Sequence, residues 1–191
     1  YRSLYANTTG TRNLGIGYAA LDAADTEDDN LAIGYNALGG SIAGGEQNVA
    51  IGNYSLDALT TGDDNVAVGF NVLTANTTGG YNTASGVYSM STNTTGNYNT
   101  ASGYYSLRSN TTGNYNTASG YSSLFSNTTA SYNTAVGQSA LYDANRTADV
   151  NAYNTAIGYN AGNSGTNDIT TGQYNVLLGA STAASAAAAA N

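Results

Sequence analysis

Few side chains of this 191-residue chain are able to carry out covalent chemistry. The chain contains no cysteine, histidine or lysine, and its 4 arginines stand against 12 aspartates and glutamates, which gives a net charge of -8. Thiol, imidazole and amine nucleophiles, disulfides and zinc sites are therefore excluded. The charge balance also argues against nucleic acid and anionic membranes as partners, because both are bound through cationic side chains.

Carboxylates are the remaining candidates for chemistry, and four of them lie close together at Asp25, Glu27, Asp28 and Asp29. Calcium takes several oxygen ligands, so these residues are the candidate metal ligands, although no EF-hand loop is present. We favour a solvated acidic face over calcium. Hydrolysis by paired carboxylates ranks last, because it needs two carboxylates facing each other across a pocket. The sequence predicts a non-enzymatic protein without a cofactor.

A repeat organises nearly the whole chain. Each unit begins with asparagine, and glycine follows four residues later. The anchors are Asn13, Asn30, Asn48, Asn65, Asn82, Asn99, Asn116, Asn133, Asn154 and Asn175. They are spaced by 17 or 18 residues up to Asn133 and by 21 residues afterwards. One unit reads Asn99-Thr-Ala-Ser-Gly-Tyr-Tyr-Ser-Leu-Arg-Ser-Asn-Thr-Thr-Gly-Asn-Tyr115, and its residues are numbered here as positions 1 to 17.

The composition of the unit predicts β structure without helices. Positions 2 to 4 favour a short strand, because Val, Ile, Leu and Thr predominate there. The unvarying glycine at position 5 indicates a corner. Positions 6 to 9, which commonly end in leucine, predict a second extended piece, and positions 11 to 16 have turn chemistry. We therefore predict an all-β fold, a parallel β-solenoid of about ten coils.

The repeat also divides the chain. Residues 1–12 match the back half of a unit, so we expect a partial preceding repeat, as in a segment cut from a longer array. Residues 13–183 form the array itself. The two 21-residue units (133–174) carry enlarged loops, and residues 184–191 form an alanine-rich tail to which we assign no structure.

The strand residues predict an inner and an outer face. Side chains at positions 2 and 4 point away from the side chain at position 3, which is nearly always alanine. Positions 2 and 4 are apolar in the units that begin at Asn30 to Asn65, and they become Thr and Ser from Asn82 to Asn116. Because an apolar outer stripe is a natural subunit interface, we expect an oligomer. No apolar run is long enough for a membrane-spanning helix.

Two sets of regularly spaced residues are candidates for recognition at the surface. Asn76, Asn93, Asn110 and Asn127 lie in Asn-x-Thr sequons 17 residues apart, so they are candidate glycosylation sites, although we favour turn formation, which explains them without sugar. Tyrosine recurs at position 17 and, in a second set, at position 6. We expect these tyrosines to stack as ladders between coils, and the alternative is an aromatic strip that grips sugars.

The enlarged loops of the two 21-residue units should lie side by side. Loops on a rigid scaffold commonly carry recognition, so Asn145, Arg146 and Asp168 are the candidate ligand contacts. The alternative is that these loops cap or end the array.

The segment Asn48-Val-Ala-Ile-Gly-Asn-Tyr-Ser55 resembles the head repeat of YadA-like trimeric autotransporter adhesins. The longer unit also resembles shaft repeats of bacterial surface fibres and of phage tail fibres. Its 17 residues exceed the adhesin period. The resemblance implies a left-handed parallel β-roll, three chains about a common axis, and a head that binds host matrix or other surfaces.

We therefore expect an adhesive or structural segment of an extracellular or cell-surface fibre. Its partners would be copies of itself, as a homotrimer or an end-to-end filament, and a glycan or a host or cell surface. Insertion into a membrane is not expected. The alternatives are a self-assembling extracellular filament subunit and a phage tail-fibre shaft.

Overall fold

Ten short strands form one parallel sheet that winds as a solenoid. The computed structural model describes residues 2–23, 26–144, 151–163 and 172–182. The strands are β1 (Leu14–Ile16), β2 (Leu31–Ile33), β3 (Val49–Ile51), β4 (Val66–Val68), β5 (Thr83–Ser85), β6 (Thr100–Ser102), β7 (Thr117–Ser119), β8 (Thr134–Val136), β9 (Thr155–Ile157) and β10 (Val176–Leu178). Each strand pairs in parallel with the next one along the chain. The predicted all-β solenoid is confirmed, and the described residues include no helix.

Equivalent positions of successive units lie directly above one another. Ala84 pairs with Ala101, and Ala101 with Ala118. Backbone hydrogen bonds join the coils at the strands and also at the turns: Thr83 N donates to Asn99 O at 2.9 Å, and Leu107 N donates to Ser123 O at 2.9 Å. Each coil therefore satisfies much of its backbone through its two neighbours.

The core is narrow and is built from columns of side chains at positions 3, 8 and 9, of which position 8 carries residues such as Ala37 and Ser106. Alanine at position 3 is fully buried in most coils, and so is the large side chain at position 9. The position 9 residues are Leu21, Leu38, Leu56, Leu73, Met90, Leu107, Leu124 and Leu141. Positions 2 and 4 face outward, as the alternation predicted.

The predicted second extended piece at positions 6 to 9 is wrong, because this segment is a turn. The chain adopts left-handed backbone angles at positions 7 and 9, as in Tyr105 (φ 58°) and Leu107 (φ 50°). Two left-handed residues so close together bend the chain and leave one strand per coil. Such a conformation costs about 1–2 kcal/mol per residue. At Leu107, burial of the side chain offsets a cost of that size.

The glycine at position 5 is required by both conformation and space. Gly103 has a φ of 135°, and a Cβ atom on it would lie 2.6 Å from the carbonyl oxygen of Gly120 in the next coil. The same close approach of one corner to the next recurs along the solenoid. Any side chain here would push two coils apart.

The asparagine at position 1 links each coil to its neighbours from inside. The backbone N and Nδ2 of Asn99 both donate to Oδ1 of Asn82, at 3.0 and 3.1 Å. Asn99 Nδ2 also donates to the carbonyl of Gly113, at 2.9 Å, near the end of its own coil. The buried Asn99 side chain is therefore hydrogen-bonded both to the preceding coil and to the carbonyl of Gly113 in its own coil.

Replacing a corner glycine should destabilise the fold through its contact with the next coil. Gly44 offers a matched control, because it also has a positive φ (121°) but a Cβ there would meet nothing within 4 Å. We expect Gly44→Ala to lower the free energy of unfolding by about 1–2 kcal/mol and Gly103→Ala by about 3 kcal/mol or more. Urea denaturation followed by circular dichroism measures both. Equal losses would show that backbone conformation alone requires glycine at position 5.

Candidate functional site

The outward surface of the solenoid carries three ordered features. The sheet face consists of the outward side chains at positions 2 and 4 of the strands. The tyrosine column consists of Tyr81, Tyr98, Tyr115, Tyr132, Tyr153 and Tyr174 at the last position of their units. The aromatic track consists of Tyr18, Tyr35, Tyr54, Phe70, Tyr88, Tyr105, Phe125 and Tyr142, which lie in the segment between positions 6 and 10.

The sheet face is apolar towards both of its ends. Leu14 and Ile16 of β1 are about half exposed (49% and 52%), and Val176 and Leu178 of β10 are more exposed still (71% and 63%). Between these ends, β5 to β7 present only Thr and Ser outward. The face is thus a regular surface on which apolar side chains remain in contact with water, a feature typical of interaction surfaces.

The tyrosine column is stacked, as the sequence predicted. Adjacent rings have centroids 4.7–5.0 Å apart and lie within 4–9° of parallel. The side chains nevertheless remain 39–71% exposed. Because each ring face is covered by the next ring, the column presents ring edges and hydroxyl groups to solvent. This arrangement does not favour the sugar-gripping interpretation, since sugars stack on open ring faces.

The aromatic track runs through successive coils with mixed geometry. Its neighbouring rings have centroids 4.8–6.1 Å apart and include edge-to-face pairs. The guanidinium of Arg108 lies over the rings of Tyr105 and Phe125, at 5.1 and 5.5 Å from their centroids. Tyr104 is hydrogen-bonded to Tyr105, and this bond raises the pKa of Tyr104 to about 12. The track is a second ordered aromatic surface with one cation embedded in it.

The four candidate glycosylation residues form an internal ladder. Asn76, Asn93, Asn110 and Asn127 are fully buried. Asn93 Nδ2, for example, donates to Asn76 Oδ1 at 2.8 Å and to Gly96 O at 3.0 Å. A glycan attached to Asn93 Nδ2 would occupy the space that Asn76 of the preceding coil fills. The folded coil therefore leaves no room for glycosylation at these residues, and their role in the turn accounts for the sequon pattern.

The described acidic residues of the calcium candidate are engaged with the chain itself. Asp28 Oδ1 accepts hydrogen bonds from Thr11 N (2.6 Å) and Oγ1 (2.8 Å), and the backbone bond is the main cause of its lowered pKa. Asp29 forms two hydrogen bonds with Arg12, which lower the pKa of this carboxyl. Glu27 is buried and accepts from Gly44 N at 3.0 Å.

Asp25 lies outside the described residues. Within the described ranges, no group of three or more acidic, histidine or cysteine side chains is arranged to hold a metal ion. The carboxylates of Asp28 and Asp29 instead join two coils. Asp28 and Asp29 remain about one third exposed, so these two residues lie on a solvated face and also form contacts between coils.

Position 16 forms a column that the sequence reasoning missed. Asp63 Oδ1 accepts from Glu46 N at 2.9 Å, and Asn97 Oδ1 accepts from Gly80 N at 2.8 Å. Asp28 makes the same bond to Thr11. The recurrence of short acceptor side chains (Asp, Asn and Ser) at this position was the available signal. Asp and Asn both serve here because the bond to the neighbouring coil needs one side-chain oxygen, and Asn97 Nδ2 adds a bond to Thr95 O at 2.8 Å.

The enlarged loops do not disturb the stacking that follows them. The candidate ligand contacts Asn145, Arg146 and Asp168 lie outside the described residues. At the start of the unit that follows each loop, the position 1 bond is kept: Asn154 N donates to Asn133 Oδ1 at 3.2 Å, and Asn175 N donates to Asn154 Oδ1 at 3.1 Å. The register is thus regained after each 21-residue unit.

Replacing Asn by Asp should reduce the free energy of unfolding much more at position 1 than at position 16. In Asn99→Asp, a buried carboxylate would face Asn82 Oδ1 and Gly113 O, so we expect a loss of about 3 kcal/mol or more in the free energy of unfolding at neutral pH. Asn97→Asp keeps the bond from Gly80 N but loses the bonds that Nδ2 donates to Thr95 O and Asn114 Oδ1 at a more exposed place, so we expect a smaller loss of about 1–2 kcal/mol.

The pH dependence provides a further check. Burial beside two acceptors raises the folded-state pKa of the carboxyl that Asn99→Asp introduces. The deficit should therefore shrink as the pH falls through that raised pKa towards the ordinary pKa of aspartate, because the folded state then binds the proton more tightly. Urea titrations across this pH range measure it. A deficit independent of pH would contradict the assigned hydrogen bonds.

No family model, no curated protein and no solved structure matches this chain. The resemblance to adhesin head repeats and fibre shafts therefore rests on the repeat residues alone and stays a prediction. The solenoid, the sheet face and the two aromatic surfaces are the features from which a function must be inferred.

Proposed function

We propose that this chain is a non-enzymatic, structural and adhesive segment of an extracellular fibre, in which three copies pack about a common axis through their sheet faces. The observation that carries the proposal is the outward exposure of apolar strand residues. Leu14, Ile16, Val66, Val68 and Ile157 are each at least 36% exposed although they belong to regular strands. Burial of such side chains against another chain is favourable in proportion to the area removed from water.

If the three copies run in parallel, the apolar strands of one copy would face the apolar strands of the others, and the Thr and Ser strands would face each other. Coils at the same height then face each other, so that Leu and Ile of β1 and β2 meet the same residues of the next copy. The Thr and Ser side chains of β5 to β7 likewise meet hydroxyl groups and are able to form hydrogen bonds across the axis. Such self-complementarity is what a closed symmetric assembly requires.

The remaining surfaces would point outward in this arrangement and supply the attachment. Tyrosine is amphipathic, with a large apolar ring and a polar tip, and it is enriched in interfaces for that reason. The described carboxylates that were considered for hydrolysis are bound within the array, as Asp28 is to Thr11 and Asp29 to Arg12. We propose as the partner a host or cell surface, or a glycan contacted through the tyrosine hydroxyl groups rather than stacked on ring faces, and the net charge of -8 argues against nucleic acid.

The location outside the cell follows from the adhesin and fibre resemblance and belongs to the same proposal. Across the described residues, the structure has no helix that is both long enough and apolar enough to span a membrane.

The oligomeric state tests the sheet-face assembly. Light scattering of the purified chain should give three times the 19.3 kDa of one copy. Val66→Glu combined with Val68→Glu should give single chains, because charges would be buried against the axis. Thr78→Glu combined with Thr95→Glu changes two exposed residues at another corner and should leave the trimer intact. A wild-type chain that is monomeric would overturn the assembly.

Attachment is tested separately. Beads that carry the trimer should adhere to surfaces coated with extracellular-matrix protein or glycan more strongly than beads that carry the Val66→Glu, Val68→Glu variant. Equal adhesion would contradict a role for the assembled head. Electron microscopy of the purified chain distinguishes the trimeric segment from the alternative, a self-assembling filament subunit, because only the latter would form indefinite end-to-end fibres.

A further inference from the structure

The tyrosine column brings phenol rings of neighbouring coils into repeated contact. We propose that Tyr81, Tyr98, Tyr115, Tyr132, Tyr153 and Tyr174 are an oxidative modification site, at which dityrosine bonds join one coil covalently to the next. The inference is independent of the oligomeric state and of any attachment partner.

The composition directs a one-electron oxidant to tyrosine. The chain has no cysteine, tryptophan or histidine, one methionine and 17 tyrosines. The single methionine, Met90, is fully buried. The side chains that commonly react before tyrosine are therefore missing or protected, and an oxidant in solution meets exposed phenols first.

The geometry then selects the partner ring. Each ring of the column has its neighbour at 4.7–5.0 Å, nearly parallel, so a radical formed on one tyrosine has a second phenol beside it. Tyr98 and Tyr115 are 47% and 49% exposed, which leaves their ring edges open to the oxidant. Exposed side chains also change rotamer within nanoseconds, so the rings are able to turn into the coupling geometry.

The aromatic track is less suited to the same reaction. Phe70 and Phe125 interrupt its tyrosines, and its Tyr35–Tyr54 pair lies edge to face with an interplanar angle of 63°. Among the described residues outside the column, the stacked tyrosine pairs are Tyr18–Tyr35 and Tyr104–Tyr121, with centroids at 5.3 and 5.5 Å. Tyr104 and Tyr105 lie closer, at 4.0 Å, but their rings are tilted by 54° and, as chain neighbours, they could not join two coils. Within the part of the chain that the structure describes, only the column offers an uninterrupted series of closely stacked phenols.

The chemistry balances with a one-electron oxidant of the peroxidase class. Each of two neighbouring phenols gives one electron to the oxidant and its phenolic proton to water. The two phenoxyl radicals form one carbon–carbon bond between ring positions ortho to oxygen, and the two ortho hydrogens move to the oxygens as the rings regain aromaticity. The product has lost two hydrogen atoms for each bond, and peroxide is reduced to water.

The test treats the dilute, folded chain with peroxidase and hydrogen peroxide. Dityrosine fluorescence should appear within single chains on a denaturing gel, and peptide mapping should find bonds between column neighbours such as Tyr98 and Tyr115. The variant Tyr98→Phe, Tyr132→Phe, Tyr174→Phe leaves no two adjacent tyrosines in the column while keeping the ring stack. It should lose most of the fluorescence.

A matched triple variant provides the control. Among the described residues, Tyr35→Phe, Tyr88→Phe, Tyr104→Phe removes one ring from each contacting tyrosine pair outside the column, and it should keep most of the signal. Bonds found mainly between chains, or mainly at pairs outside the column, would overturn the proposal, as would equal losses in the two variants. Circular dichroism verifies that both variants fold. If the column variant does not fold, the peptide map of the oxidised wild-type chain decides the question.

Discussion

The hydrogen bond from one coil to the next is the interaction on which the rest of this structure depends. A coil of about 17 residues buries little more than one alanine and one leucine, so it has too small a core to fold alone. Strand residues such as Thr83 and turn residues such as Leu107 both donate their backbone N–H to the following coil. Stability therefore belongs to the stack, with each coil acting as the template for its neighbour.

The amide side chain extends this pattern because it both donates and accepts. Asn99 accepts from the coil after it and donates to the coil before it, and Asn93 donates to Asn76 while its own Oδ1 accepts from Asn110. A carboxylate only accepts. This difference explains why aspartate occurs at position 16, where Asp28 and Asp63 need only accept, while the ladder at position 1 is asparagine in every unit.

The sequence was sufficient to predict the features that a single unit reveals. The inward Ala84, the outward Thr83 and the corner at Gly86 follow from alternation and from the special freedom of glycine. The turn at positions 7 and 9 was missed because Tyr105 and Leu107 have no preference for a left-handed backbone. A signal was present nonetheless: none of the described non-glycine residues with positive φ is Val, Ile or Thr, the residues for which that conformation is most costly.

The candidate sites were harder to predict because they depend on contacts between units. Whether Asn93 is a solvent-exposed sequon or a buried ladder residue is decided by the coil that lies against it, and the local sequence is the same in both cases. Asp28 likewise finds its partner in Thr11, 17 residues earlier. Pairing across the period has to be known before the acidic segment can be interpreted.

The regained register after the longer units has a consequence for the evolution of such a molecule. Because each coil presents to the next the same backbone and the same asparagine that it receives from the one before, duplication or loss of a whole unit would leave the backbone pairing and the asparagine ladder of the remaining coils unchanged. Such an event would alter only the height of the stack, by about 4.8 Å, the spacing of adjacent strands. The reach of the protein is thus set by counting units, and unequal recombination between near-identical coils would adjust it without a new solution to folding.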